Sequence, residues 1–133
     1  MTWRWISLEL VYAVHDRQLA EHGGLQGVRD VGAVESAIMR PQNLAAYGDP
    51  DAAALAAAYA FGIAKNHGFI DGNKRTAWVI ARLFLADHGI KLRFEPSDAI
   101  RTVGGLAAGS LSEAQLGDWF RDRIVPTDNA TGN

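Results

Sequence analysis

The sequence contains no cysteine, which rules out disulfides and thiolate metal sites. No apolar run reaches the roughly 18 residues that span a bilayer. The opening Met1-Thr2-Trp3-Arg4-Trp5 also lacks the long apolar core of a signal peptide. Nor does charge of one sign dominate. Thirteen Lys and Arg stand against fifteen Asp and Glu, a formal net charge of −2, so no global basic field invites nucleic acid. There is no internal repeat and no low-complexity linker. What is there is ordinary for a globular protein: 133 residues, 48% of them hydrophobic and 21% charged, enough chain for one buried core. The expectation is a soluble, cytoplasmic, single-domain protein.

Periodicity and capping signals predict an all-α domain over residues 1–125, with a polar, disordered tail over 126–133. Ser7 is a good N-cap, and Glu9 follows in the first turn, where a carboxylate suits the helix dipole. Leu8, Val11, Tyr12, His15 and Leu19 then recur at helical spacing until Gly23-Gly24. Asp30 caps a second helix, Val31 to Arg40, which Pro41 is expected to end because the residue before a proline avoids helical geometry. Gln42 to Asp49 reads as surface loop. Asp49-Pro50 pairs a capping carboxylate with a proline at the first helical position, and so predicts the start of a helix reaching Asn66 or His67. Ala52 to Ala64 carries no charged residue, and all-round apolarity predicts a central helix buried on several sides. A second central helix is predicted from Asn73 to His88, closed by Gly89. Ile90 to Glu95 suits a short edge strand or an extended connector. Pro96-Ser97-Asp98 opens a helix to Ala108, and Ser112-Glu113-Ala114-Gln115 has capping-box spacing for a last helix to Ile124.

Between the two central helices lies His67-Gly68-Phe69-Ile70-Asp71-Gly72-Asn73-Lys74-Arg75. A connector between apolar helices needs only a glycine and a few caps. This one gathers an imidazole, a carboxylate, an amide and two cations. Asp71-Gly72-Asn73 leads into a helix N-terminus, whose unpaired N–H groups and partial positive charge favour anions, phosphates above all. Gly72 lets those N–H groups converge. Lys74 offers a point charge and Arg75 a planar fork for phosphate oxygens. Asp71 is a hard oxygen ligand of the kind Mg²⁺ uses when substrate phosphates complete its shell. An imidazole such as His67 can take a proton from an attacking hydroxyl. Together these are parts for phosphate-ester transfer from a Mg²⁺-nucleotide. Each also has a structural reading: His67 as a helix-end residue, Asp71 as a cap, Lys74 and Arg75 as a solvated first turn. Spacing alone gives neither the nucleotide nor the acceptor.

The pattern His-x-Phe-x-Asp-Gly-Asn-Lys-Arg resembles the signature of the Fic/Doc family, specifically its Doc (death on curing) toxin branch. The likeness extends to Leu8-Glu9 through His15-Asp16, Glu21-His22-Gly23-Gly24, Arg29-Asp30, Glu35-Ser36-Ala37, Arg40-Pro41-Gln42, Ala64-Lys65-Asn66 and Leu83-Phe84-Leu85. It covers Ile6 to Ile124. The resemblance implies a compact helical bundle whose motif loop binds ATP and Mg²⁺. By the same likeness His67 is the base acting on a protein hydroxyl, Asp71 holds the metal, and Gly72, Asn73 and Arg75 hold phosphates, with Arg75 counted among the catalytic residues. Phe69 anchors the loop. Nucleotidyl-transferring members mostly carry Pro and Gly where this chain has Gly68 and Lys74. Lys at the latter position marks the Doc branch, in which the γ-phosphoryl group of ATP rather than AMP is transferred. The implied substrate is a translation factor, elongation factor Tu, and the implied partner is an antitoxin inhibiting in trans. The inhibitory Ser/Thr-x-x-x-Glu-Gly/Asn signature of other members is absent from the sequence. AMP transfer and a non-catalytic binding role are the alternatives. Gly68 is expected only to soften the loop.

Lys65, two residues before His67, is placed with the residues that touch phosphate or acceptor, the alternative being a surface lysine. His15-Asp16 and Arg40 are expected to make structural hydrogen bonds. His22 and His88 are expected to complement helix dipoles. Trp78, Tyr59, Phe61, Phe84 and Phe120 are assigned to the core, and Trp3 and Trp5 to an antitoxin contact.

Overall fold

The computed structural model describes residues 2–126. These form an all-α domain of six helices: α1 (Leu8–His22), α2 (Val31–Tyr47), α3 (Ala52–Asn66), α4 (Asn73–Asp87), α5 (Pro96–Ala108) and α6 (Glu113–Asp122). The predicted tail lies, apart from Pro126, outside the described residues. No described helix is long and apolar enough to cross a membrane.

The predicted caps at three helices are made. Ser7, Asp30 and Ser112 accept from Leu10, Ala33 and Gln115 N–H respectively, and Gln115 returns a bond to the Ser112 backbone to complete the capping box. A fourth cap is displaced. Asp51, not Asp49, accepts from Ala54 N–H at 2.9 Å, so Pro50 precedes the N-cap instead of opening the helix. Asp51 is also the residue that Arg121 of α6 reaches with two nitrogens, at 2.7 and 2.9 Å. This arrangement fixes one start for α3 and one docking position for α6.

α3 is the hub. It packs against α2, α4, α5 and α6, and from Ala53 to Ala64 every residue but Ala54 and Phe61 is buried. Its approach to α2 is close: a Cβ on Gly62 would stand 3.0 Å from the Ala37 Cα. That contact helps explain the main departure from expectation. α2 does not stop at Pro41 but runs through it to Tyr47. Proline inside a helix loses one backbone bond and crowds the carbonyl four residues back. Here the ring is fully buried, and the neighbouring Arg40 is pinned by Glu113 of α6, with both carboxylate oxygens 3.1 Å from its Nε, and by the Phe61 ring 4.8 Å below its guanidinium. Tertiary packing overrides the local preference.

Ile90 to Glu95 is an extended connector. It meets the end of the chain through an isolated antiparallel bridge between Leu92 and Ile124, with Arg93 N–H donating to Arg123 O and Val125 N–H to Lys91 O, both at 2.9 Å. Trp3 and Trp5 are half-buried and lie against Phe84 of α4, with centroids 5.9 and 6.2 Å apart. They serve as a hydrophobic strap over α4.

Candidate active site

α3 ends at His67, whose backbone is left-handed (φ 50°, ψ 45°). No other non-glycine residue among those described has positive φ. This conformation costs a side chain with a Cβ about 1 kcal/mol or more and turns the chain sharply out of the helix, leaving the imidazole exposed. The loop then passes so close to α2 that a Cβ on Gly68 would sit 2.4 Å from Val34 Cγ2 and 3.1 Å from Val34 N. Gly68 O accepts from the N–H groups of Arg29 and Asp30 at 2.8 and 3.0 Å. Gly68 is therefore a close-contact position clamped to the start of α2, not the softening of the loop that the sequence suggested.

Phe69 plunges into the core as expected. It is 1% exposed, stacks on the His15 ring at 3.7 Å with an 11° interplanar angle, and takes the edge of Tyr12 at 5.9 Å. His15 sits beneath the loop, and its Nε2–H donates to Asp71 O at 2.7 Å. The Asn73 side chain closes the turn: its Oδ1 accepts from Phe69 N–H at 3.1 Å and its Nδ2 donates to Phe69 O at 2.9 Å. The Asn73 amide is thus committed to the loop, and only its backbone N–H is free for a ligand. The segment preceding α2 completes the cradle. Ile70 N–H donates to Gly27 O at 3.1 Å, and Leu25 N–H donates to Asp71 Oδ2 at 2.8 Å.

Asp71 therefore has one carboxylate oxygen held and one oxygen open. Next to it Gly72 is left-handed (φ 80°, ψ 13°) as the N-cap of α4, with no side chain capping the helix. A Cβ there would touch His15 Cδ2 and Leu19 Cδ2 at 3.4 Å. The first bond into this helix is from Thr76 N–H to Gly72 O. The N–H groups of Gly72, Asn73, Lys74 and Arg75 have no partner among the described residues. An uncapped helix start with four free N–H groups is an anion site.

These groups open on one groove of about 1210 Å³. His67, Asp71, Gly72, Asn73, Lys74 and Arg75 line one end. Trp78 and Arg82 of α4, with Phe94 and the face of α5 from Pro96 to Ala108, form the rest. His67, Lys74 and Arg75 are exposed and make no ion pair among the described residues. Lys65 does not line the groove. Its Nζ lies 3.5 Å from where a Cβ on Gly109 would be, at the C-terminal end of α5, where a cation complements the helix dipole. No three His, Asp or Glu side chains among the described residues gather as a metal site.

Arg40 and His88 are tied into the fold. Arg40 makes the tie to Glu113 described above. His88 donates from Nδ1 to Phe84 O at 2.7 Å and accepts Arg4 N–H on Nε2 at 3.0 Å, closing the strap over α4. Trp78 is only half-buried and belongs to the groove wall. Sequence periodicity marked His15 as an inward position of α1 but could not show what it would meet, since Asp71 lies 56 residues away.

Residues 5–85 match the family model described as the Fic/DOC family. Among curated proteins the chain is 39% identical to "Protein kinase doc" of Escherichia phage P1, an alignment covering 89% of this chain and 94% of the relative. It is 44% identical to "Toxin Doc" of Mycolicibacterium smegmatis over 53% of this chain and 55% of that relative.

Proposed function

The chain belongs to the Fic/DOC family and to its Doc branch, and on that footing we propose that it is a toxin that transfers the γ-phosphoryl group of ATP to a Ser or Thr hydroxyl of a translation factor. The observation that carries this reading is the convergence on one groove of an exposed imidazole, a half-engaged carboxylate and an uncapped helix N-terminus. The residues fit a Mg²⁺-nucleotide. The free N–H groups of Gly72 to Arg75 bind phosphate oxygens, and the Arg75 guanidinium spreads over the charge that grows on them during transfer. The open oxygen of Asp71 would hold Mg²⁺, which would supply further neutralisation of phosphate charge. His67, on its left-handed turn, takes the proton of the acceptor hydroxyl as that oxygen forms its bond to phosphorus, and ADP leaves. Lys74 holds a cation at the helix entry, where a glycine would leave room for further phosphates. This favours the nucleotide orientation that presents the terminal phosphoryl group. Elongation factor Tu is the acceptor of choice, and inhibition by a separate antitoxin chain is the control proposed, on the likeness to the protein named Toxin Doc.

The test is the intact mass of elongation factor Tu after incubation with this protein, ATP and Mg²⁺, with His67→Ala as control. A gain of one phosphoryl group, absent with the variant, is the expected result. A gain of one AMP would keep the site and overturn the orientation assigned to Lys74. No modification of any protein in a whole lysate would overturn the enzymatic reading.

A further inference from the structure

The groove lining extends beyond the motif loop along α4 and α5, and there it carries a cation, Arg82, without an acidic partner among the described residues. Arg82 lies at the position eight residues beyond Lys74, with Trp78 midway, so the three share one face of α4. At a rise of about 1.5 Å per residue, Lys74 and Arg82 are about 12 Å apart along the helix. The Arg82 guanidinium lies over two aromatic rings, 5.5 Å from the Trp78 centroid and 5.2 Å from that of Phe94. It makes no ion pair among the described residues. Elsewhere, arginines seated on rings are neutralised. Arg40 over Phe61 is paired with Glu113, and Arg123 over Trp119 with Asp98. Arg82 alone of the three is held by aromatic faces while its charge is left for something else. The groove lining holds Lys74, Arg75 and Arg82 against one acid, Asp71.

We propose that Arg82 makes the far end of the groove a specificity subsite for the acceptor, taking an acidic side chain about three to four residues from the phosphorylated hydroxyl. The distance follows from an extended chain rising about 3.3 Å per residue across about 12 Å. The wall opposite is apolar: Ile100 of α5 is 75% exposed, with Ala99 and Val103 beside it, which suits a peptide backbone lying between charge and hydrocarbon. The subsite rests on the reading of a protein acceptor, but its binding chemistry can be tested without any transfer.

Two fluorescent, serine-centred peptides serve as probes, one with Glu and one with Lys at the positions three and four residues to either side. Anisotropy gives their affinities for the wild-type protein, Arg82→Glu and Arg82→Lys, with ATP affinity measured alongside and thermal melts to check the fold. The wild type is expected to favour the Glu peptide by about tenfold or more, Arg82→Lys to keep most of that preference, and Arg82→Glu to lose or invert it. ATP affinity is expected to stay within about twofold, since a tenfold change would require about 1.4 kcal/mol. Unchanged peptide discrimination in Arg82→Glu would overturn the subsite. So would a tenfold loss of ATP affinity without a peptide effect, because Arg82 would then belong to the nucleotide. If wild-type protein modifies nothing yet discriminates the peptides as described, the subsite stands and the transferase reading falls.

Discussion

The two sides of the loop between α3 and α4 are built on opposite principles. On the inner side nearly every polar group has a partner. His15 holds the Asp71 carbonyl, Asn73 ties both backbone groups of Phe69, Gly68 O takes two N–H groups from the start of α2, and Leu25 N–H holds one Asp71 oxygen. On the outer side His67, Lys74, Arg75 and the first N–H groups of α4 face the groove without ion pairs or caps. Reactive groups can be left unsatisfied only where the backbone beneath them cannot relax to satisfy them. Rigidity on one side is what permits availability on the other, the arrangement electrostatic catalysis requires.

The contrast is broken most sharply by His67→Ala. It should lower phosphoryl transfer by about 10²-fold or more and leave the melting temperature within error, because the exposed ring makes no ion pair. A large drop in melting temperature would move His67 to the structural side. Gly68→Ala should do the reverse. Its Cβ must displace Val34 or the start of α2, costing about 1–3 kcal/mol of stability by urea titration, and Val34→Ala in the same chain should restore part of that loss. An additive double variant would show that the close approach is not what constrains the loop. His15→Phe keeps a ring against Phe69 but leaves the Asp71 carbonyl without its donor. A loss of about 1–2 kcal/mol is expected, smaller in His15→Gln, whose amide can still donate. A loss confined to His15→Gln would assign the whole effect to the ring stack.

The smallest expected effect lies far from the groove and tests whether the ties around α3 act like those under the loop. The Arg121 hydrogen bond lowers the Asp51 carboxyl from its usual range against the opposing effect of burial. A carboxyl lowered in the folded state contributes stability above its unfolded pKa and loses it as pH falls through the folded value. The pair is about half exposed, so solvent screens it. Melting temperature should therefore fall slightly less on acidification in Asp51→Asn than in the wild type. Identical acid profiles would show that the bond contributes geometry but no measurable pH-dependent stability.

Much of this was legible in the sequence wherever the signal was local. Ser7, Asp30 and the Ser112–Gln115 box announce helix starts through their own neighbours, and the uncharged stretch from Ala52 to Ala64 states its burial outright. The loop residues that line the groove are all within the nine-residue motif. What was not legible depends on partners distant in the chain. Pro41 should stop a helix, and only packing beside Ala37 and the tie to Glu113 lets α2 continue. Gly68 reads as slack until Val34 is seen beside it. Asn73 reads as a ligand residue, and the sequence does not show that Phe69 takes its amide and leaves the backbone N–H for that role. Lys65 is close to His67 in sequence, but its ammonium lies by Gly109 at the end of α5.

The late position of α6 bears on how the protein is made. α3 is apolar on every side, and one of those sides is covered only by the last helix, through Leu116 and Phe120 in the core and Arg121 at Asp51. During synthesis the loop and both flanking helices leave the ribosome well before that cover exists. A growing chain therefore holds every groove-lining residue of the motif before α6 has covered its side of α3. The fold closes only when residues near Ile124 can pair with Leu92, so the groove takes its final geometry only once α6 has docked.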